Sequence, residues 1–240
     1  RTRKIGLGIM GFADLLIALK IPYDTEEALR TASQVMAFVQ SHAHEASRRL
    51  AKERGPFPAY PGSGLARRRD PRRHATVTTI APTGTISIIA GCTPGIEPLY
   101  AIQTVRTILD GGRLTTLHPA FRKLARAAGL DMDRLRAQLS EAPSIQHHPT
   151  IALHLRRLFV TAHDIDPAHH VRMQAIFQRY SDSGVSKTIN LPAAATKAQV
   201  AEAFLLAYRL GCKGLTVFRT GSRAHQVLSC TVTQTCEEPV

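Results

Sequence analysis

The sequence predicts an α/β domain. Three runs rich in β-branched residues, at 76–81, 185–191 and 214–218, are typical of strands, and helical patterns separate them. Strands that alternate with helices are the pattern of an α/β architecture. No change in composition divides the 240 residues, so we expect one domain with a substantial core.

Two helices are predicted before the first strand. The first covers about residues 9–20 and the second covers residues 25–54. Asp24 or Thr25 can cap the second helix, and Gly55 ends it. Its apolar positions suggest a buried stripe that consists of Leu29, Val35, Phe38, Val39, Ala46 and Leu50.

A loop and a buried strand follow. Residues 57–71 are rich in Pro, Gly and Arg, which predicts a loop, and the basic run 67–73 extends beyond it. A solvated loop is favoured over a phosphate clamp for this run. The strand at 76–81 then stops at Pro82.

The second half of the chain is predicted to be mainly helical. Helical patterns cover residues 119–128, 132–139, 150–162, 167–180 and 197–210. The strands at 185–191 and 214–218 flank the last of these helices. We place the domain boundary at residue 228 and expect a flexible tail over 229–240.

The composition excludes several classes of protein. With 44% hydrophobic and 20% charged residues, the chain is predicted to fold, and its apolar runs are too short to span a membrane. Residue 1 is Arg and no apolar leader follows, so we expect no secretory signal and a chain that is part of something longer. Four scattered cysteines favour a reducing cytoplasm.

The charge favours anionic partners. Lys and Arg number 31 against 18 acidic residues, a net charge of +13. One hypothesis is therefore a basic nucleic-acid-binding module without catalysis, which would bind DNA in a salt-dependent way. Aromatic residues make up only 5% and Trp is absent, so the stacking surfaces of single-strand binders are scarce.

Two glycine-containing stretches are candidates for phosphate binding. The spaced glycines at residues 6–11 match a dinucleotide fingerprint, but they lack its preceding strand and its later acidic residue, so a helix-packing role is favoured. Residues 81–87 carry three hydroxyls and a glycine after a strand, which suits either a phosphate cradle or an ordinary Ser/Thr turn. A second Gly- and Pro-rich loop at 91–98 follows closely and favours a site.

The histidines and cysteines give weaker signals. Six of the 11 histidines lie within one third of the chain, namely His147, His148, His154, His163, His169 and His170. Since they lack metal-binding spacing, we predict structural or surface roles and no metal. Cys230 and Cys236 are separated by five residues, so incidental thiols are favoured over a shuttle pair.

Several stretches, taken in order, carry a resemblance to a known family. They are residues 3–14, 78–87, 95–98, 161–165, 170–174, 185–192 and 211–219. In this order they resemble the C-terminal part of the large chain of class II, adenosylcobalamin-dependent ribonucleotide reductases. The resemblance extends from Arg3 to about Leu228.

The resemblance implies a fold and an activity. The fold would be the later half of a ten-stranded α/β barrel. The activity would be reduction of ribonucleotides to deoxyribonucleotides by a cysteine thiyl radical. The family carries that cysteine in an Asn-x-Cys-x-Glu stretch that this chain lacks, so we expect it upstream and expect no catalytic residue here.

The resemblance also implies a substrate site and partners. The substrate diphosphate would be held by Pro82, Thr83, Gly84, Thr85, Ile86 and Ser87. Cys230 and Cys236 are candidates for the thiol shuttle, although the family pair is closer in sequence. The implied partners are adenosylcobalamin, a ribonucleoside diphosphate, a thioredoxin-like reductant, the N-terminal part of the enzyme and a second copy in a homodimer. A partial barrel exposes strand edges, so we expect poor solubility or oligomers.

Overall fold

The computed structural model of the chain describes residues 1–107, 113–139 and 144–222. In order, the helices are α1 (Phe12–Ala18), α2 (Glu26–Arg54), α3 (Gly64–Arg67), α4 (Gly84–Ala90), α5 (Pro119–Ala127), α6 (Met132–Leu139), α7 (Leu153–Leu158), α8 (Pro167–Arg179) and α9 (Lys197–Arg209). The strands are β1 (Gln103–Thr107), β2 (Arg113–Leu117), β3 (Thr188–Leu191) and β4 (Thr216–Arg219). The predicted α/β architecture is confirmed.

Four extended segments lie side by side and run parallel. Single parallel bridges join Leu7 to Thr78 and Ile80 to Val185, and the chain then continues from Val185 into β3. β3 pairs in parallel with β4, from Thr188 opposite Thr216 onwards. The spatial order therefore follows the chain order, with helices connecting each neighbour, as in a parallel α/β sheet.

The predicted strand at 76–81 is extended but forms no continuous ladder. It bonds to both neighbours through separate bridges, because its partner at residues 5–7 contributes only a short stretch. The antiparallel hairpin of β1 and β2 was not predicted. The predicted helix at 150–162 is shorter, since Thr161 instead forms a parallel bridge with Leu99.

The core consists of three clusters of buried side chains. The first lies between α1, α2 and α8, where Phe12 and Phe177 meet with ring centroids 5.1 Å apart. The second joins the β1–β2 hairpin to α5, α6 and α7 around Phe121 and Phe159. The third is smaller and places α8 and α9 against β3 around Ile189.

The buried face of α2 differs from the predicted stripe. Thr25 caps the helix as expected, by accepting a hydrogen bond from the Ala28 N–H at 3.2 Å. The buried residues are Ala28, Leu29, Ala32, Met36, Ala43, Ser47 and Ala51. Phe38 is 64% exposed, because close packing against α8 selects the face of small residues. Among the described residues, none of the helices combines the length and apolar character that crossing a bilayer requires.

Candidate functional site

The predicted phosphate loop, residues 82–87, follows the extended segment 76–80. It includes the first turn of α4, where the sequence predicted a turn and no helix. The N–H groups of Gly84, Thr85 and Ile86 lie in the first turn of α4, where a helix offers no acceptor of its own. All three residues are exposed. The loop therefore presents backbone donors and the Thr85 hydroxyl on one accessible surface.

Thr83 occupies an unusual backbone conformation at the start of this loop. Its φ of 51° lies in the left-handed region, which residues other than glycine adopt rarely. Its Oγ1 accepts a hydrogen bond from the Gly95 N–H at 2.7 Å, and its carbonyl accepts from the Ser87 N–H at 3.0 Å. The two adjacent loops that the sequence singled out are thus joined through Thr83.

Gly95 is needed for this approach of the two loops. Its φ is 48°, and a Cβ at this position would lie 3.1 Å from the carbonyl oxygen of Ala81. A larger residue would therefore push the second loop away from the first.

Ser87 differs from the other residues of the predicted loop. Its side chain is buried, and its hydroxyl donates to the Gly84 carbonyl at 3.0 Å. The Cys92 N–H donates to the Ser87 carbonyl at 3.0 Å. Ser87 thus stabilises the first turn of α4, while Thr85 stays accessible.

The second loop is fixed at Glu97. One carboxylate oxygen accepts from Lys187 Nζ at 2.8 Å and the other from the Thr188 N–H at 2.6 Å. Lys187 is fully buried, and this burial lowers the pKa of its ammonium group against the opposing influence of Glu97. The hydroxyl of Tyr23 donates to the Ile96 carbonyl at 2.5 Å, and burial raises the pKa of Tyr23 well above its ordinary value.

Asp14 ties α1 to the same loop. Its carboxylate accepts from the Thr93 N–H at 2.6 Å and contacts His118 Nε2 at 3.1 Å. Burial by itself would raise the pKa of Asp14, but the hydrogen bonds with His118 and Thr93 lower it. The Gly11 N–H donates back to the Thr93 carbonyl at 2.8 Å.

The glycines at 6–11 act in packing, as favoured from the sequence. A Cβ at Gly8 would lie 2.2 Å from the carbonyl oxygen of Thr79, and one at Gly6 would lie 2.4 Å from the Thr79 Cγ2. Both glycines let the segment at 5–7 approach its neighbour closely. The dinucleotide interpretation is therefore discarded.

The basic run divides into exposed and structural arginines. Arg67, Arg68 and Arg69 are exposed. Arg72 is buried and contacts Asp70 at 3.3 Å and Asp182 at 3.6 Å. No local pattern in the sequence marks this buried ionic contact.

The histidines have mainly structural partners. Nε2 of His169 donates to the Tyr23 carbonyl at 2.9 Å, and Nε2 of His170 donates to the Ala162 carbonyl at 3.0 Å. Within residues 1–107, 113–139 and 144–222, no three His, Cys, Asp or Glu side chains come together as a metal site would require. Cys92 and Cys212 are free thiols, whereas Cys230 and Cys236 lie outside the described residues.

Part of this arrangement is visible in the sequence. Glycines and hydroxyls mark the two loops, and Glu97 lies within the second loop. Tyr23, Asp14 and Lys187 carry no such mark, because nothing local distinguishes a residue whose partner lies 73 to 90 positions away.

The chain is similar to known proteins over nearly its whole length. The model of the ribonucleotide reductase barrel domain matches residues 1–72 and 67–218. The vitamin B12-dependent ribonucleoside-diphosphate reductase of Thermoplasma acidophilum is 49% identical over 234 residues, which cover 98% of this chain and 30% of that protein. The enzyme of the same name from Mycobacterium tuberculosis is 51% identical over 228 residues, which cover 95% and 33%.

A solved structure supports the same similarity. The class Id ribonucleotide reductase alpha subunit of Actinobacillus ureae matches with a TM-score of 0.78 and 25% identity, over 92% of this chain and 40% of that chain. The chain spans about a third of the length of the curated relatives named above.

Proposed function

The chain belongs to the ribonucleotide reductase family, and we propose that it forms the C-terminal portion of a vitamin B12-dependent ribonucleoside-diphosphate reductase. The observation that carries this proposal is the 49% identity to such a reductase over 98% of the chain. The enzyme would reduce ribonucleoside diphosphates to deoxyribonucleotides for DNA synthesis by thiyl-radical chemistry in the cytoplasm.

The proposed contribution of this chain is to hold the substrate diphosphate. Pro82, Thr83, Gly84, Thr85, Ile86 and Ser87 would form the site. The N–H groups of the first α4 turn and the Thr85 hydroxyl can donate several hydrogen bonds to phosphate oxygens. Fixed backbone donors orient the ribose without the loss of side-chain freedom that a flexible lysine would bring.

The radical chemistry would depend on the rest of the enzyme. The Asn-x-Cys-x-Glu stretch is not in this sequence, so the N-terminal part would supply the radical cysteine. A thioredoxin-like protein would supply reducing equivalents, with Cys230 and Cys236 as candidates for passing them on. A homodimer is part of the same proposal.

Adenosylcobalamin would generate the radical in the intact enzyme. Among the described residues, a cavity of about 570 Å³ lies beside Phe57, Leu65 and Arg68. The described residues that line it include no His, Cys, Asp or Glu side chain that could ligate cobalt, so these residues do not fit the cofactor by themselves.

The proposal is tested with the complete enzyme, adenosylcobalamin and a dithiol. We expect conversion of ADP to dADP, measured by chromatography. Thr85→Val should raise the KM for ADP severalfold with a smaller change in kcat, because in this proposal the Thr85 hydroxyl would contact only the diphosphate. Thr31→Val on α2 is the matched control and should leave both constants unchanged. Absence of dADP with the wild-type enzyme would overturn the proposal.

A further inference from the structure

The backbone of Thr83 has to be held in place by its surroundings. A left-handed conformation at a β-branched residue persists only where neighbouring contacts enforce it. The Thr83 side chain accepts a 2.7 Å hydrogen bond from the Gly95 N–H. The position of Thr83 therefore depends on the position of residues 95–97.

Residues 95–97 are held from two sides. On one side the Tyr23 hydroxyl donates to the Ile96 carbonyl, and on the other the Glu97 carboxylate accepts from Lys187 Nζ and from the Thr188 N–H. These bonds connect the loop to β3 and to the turn after α1.

Tyr23, Lys187 and Glu97 form one closed cluster. Lys187 Nζ lies 2.8 Å from the Glu97 carboxylate and 5.8 Å from the centroid of the Tyr23 ring, which is within cation–π range. Tyr23 in turn bonds to the residue before Glu97. Because the Lys187 side chain is fully buried, loss of the Glu97 carboxylate would leave the Lys187 ammonium group as an unpaired buried charge.

This cluster lies behind the loop and does not belong to its accessible surface. Tyr23 is 4% exposed and Lys187 is 1% exposed. The Glu97 side chain is 23% exposed, but both of its carboxylate oxygens accept hydrogen bonds, whereas Gly84, Thr85 and Ile86 are exposed. Direct contact with the substrate is therefore left to the loop.

We propose that Tyr23, Glu97 and Lys187 are positioning residues for the diphosphate loop, acting through residues 95–97 and the bond from Gly95 to Thr83. This inference rests on the proposed function, since it assumes that residues 82–87 bind the diphosphate. It predicts that weakening the cluster impairs recognition of the phosphates more than recognition of the nucleoside.

The test measures the affinities of the complete enzyme for ADP and for adenosine by calorimetry. Two variants weaken the cluster: Glu97→Gln removes the charge opposite Lys187, and Tyr23→Phe removes the hydroxyl but keeps the ring. Asp70→Asn is the matched control, because it also replaces the carboxylate beside a buried cation, Arg72. The contacts that it weakens lie at α2 and within residues 65–72, away from the cluster.

In both cluster variants, we expect the ratio of ADP to adenosine affinity to fall at least about fivefold, the lower end of typical coupling between sites. Asp70→Asn should leave the ratio within about twofold. An unchanged ratio in folded Tyr23→Phe protein would overturn the inference, even if Glu97→Gln fails to fold. An equal fall in Asp70→Asn would also overturn it, because the effect would then be general destabilisation. A wild-type enzyme that binds ADP no better than adenosine would overturn the proposed function itself.

Discussion

Replacing Gly8 with alanine should destabilise the pairing between the first two parallel segments, at residues 5–7 and 76–80. The added Cβ would lie 2.2 Å from the Thr79 carbonyl oxygen. Since real Cβ contacts essentially never fall below 3.0 Å, the two segments would have to separate by about 0.8 Å. The substitution therefore forces either strain or loss of the local pairing.

Separation of the segments and strain between them would lower the free energy of unfolding by similar amounts. If the segments separate, the hydrogen bonds from the Leu7 N–H to the Val77 carbonyl (2.7 Å) and from the Thr79 N–H to the Leu7 carbonyl (3.0 Å) are lost. Two such bonds contribute about 2 kcal/mol. If they stay together, overpacking costs about 1–3 kcal/mol. We expect Gly8→Ala to lower the free energy of unfolding by about 1–3 kcal/mol.

Urea denaturation followed by circular dichroism measures this change, and hydrogen exchange at Leu7 and Thr79 distinguishes separation from strain. Gly184→Ala is the matched control, because a Cβ there would meet nothing within 4 Å. It should be neutral or stabilise by up to about 1 kcal/mol, since alanine restricts the unfolded chain. Equal free energies for the two variants would refute the reasoning.

Three further outcomes are expected. Burial lowers the pKa of His170 from 6.5 to about 2, so below pH 6.5 the unfolded state binds a proton that the folded state does not, and the free energy of unfolding falls. Between pH 7.5 and 5.5, urea titrations should show the wild type losing about 1.4 kcal/mol more than His170→Gln. Equal losses would contradict this. Phe177→Ala, in the core against Phe12, should cost about 3–5 kcal/mol, whereas Phe38→Ala at a 64% exposed site should cost under about 0.5 kcal/mol in the same assay. The isolated chain, with Ile5 and Leu7 about half exposed at an open edge, should form oligomers in light scattering, and a monodisperse monomer that melts cooperatively would contradict this.

Local signals predicted the longer helices well. The bounds of α2 follow from its cap and from Gly55 at its end. The predicted bounds of α6 match the structure, and those of α8 and α9 agree to within one residue. The buried face of α2 could not be predicted in the same way. Its regularly spaced small residues are selected by the close approach of α8, and that partner lies more than 100 positions away.

The candidate site was predictable only in part. Glycine and hydroxyl residues at 81–87 mark a loop because their effect on the backbone conformation is local in sequence. The cluster of Tyr23, Glu97 and Lys187 has no local pattern, since its members come from three separate parts of the chain. The helical start of the loop was missed because α4 has only seven residues and consists largely of isoleucine, glycine and hydroxyl residues.

The chain-order arrangement of the four parallel segments has a consequence for folding kinetics. Thr188 pairs with Thr216, 28 positions later, whereas Ile80 pairs with Val185 across 105 positions. Closing the longer loop costs about 1.2 kcal/mol more in chain entropy. We therefore expect the β3–α9–β4 unit to form early and the pairing at Ile80 to limit the folding rate, so that the contact between Glu97 and β3 assembles late.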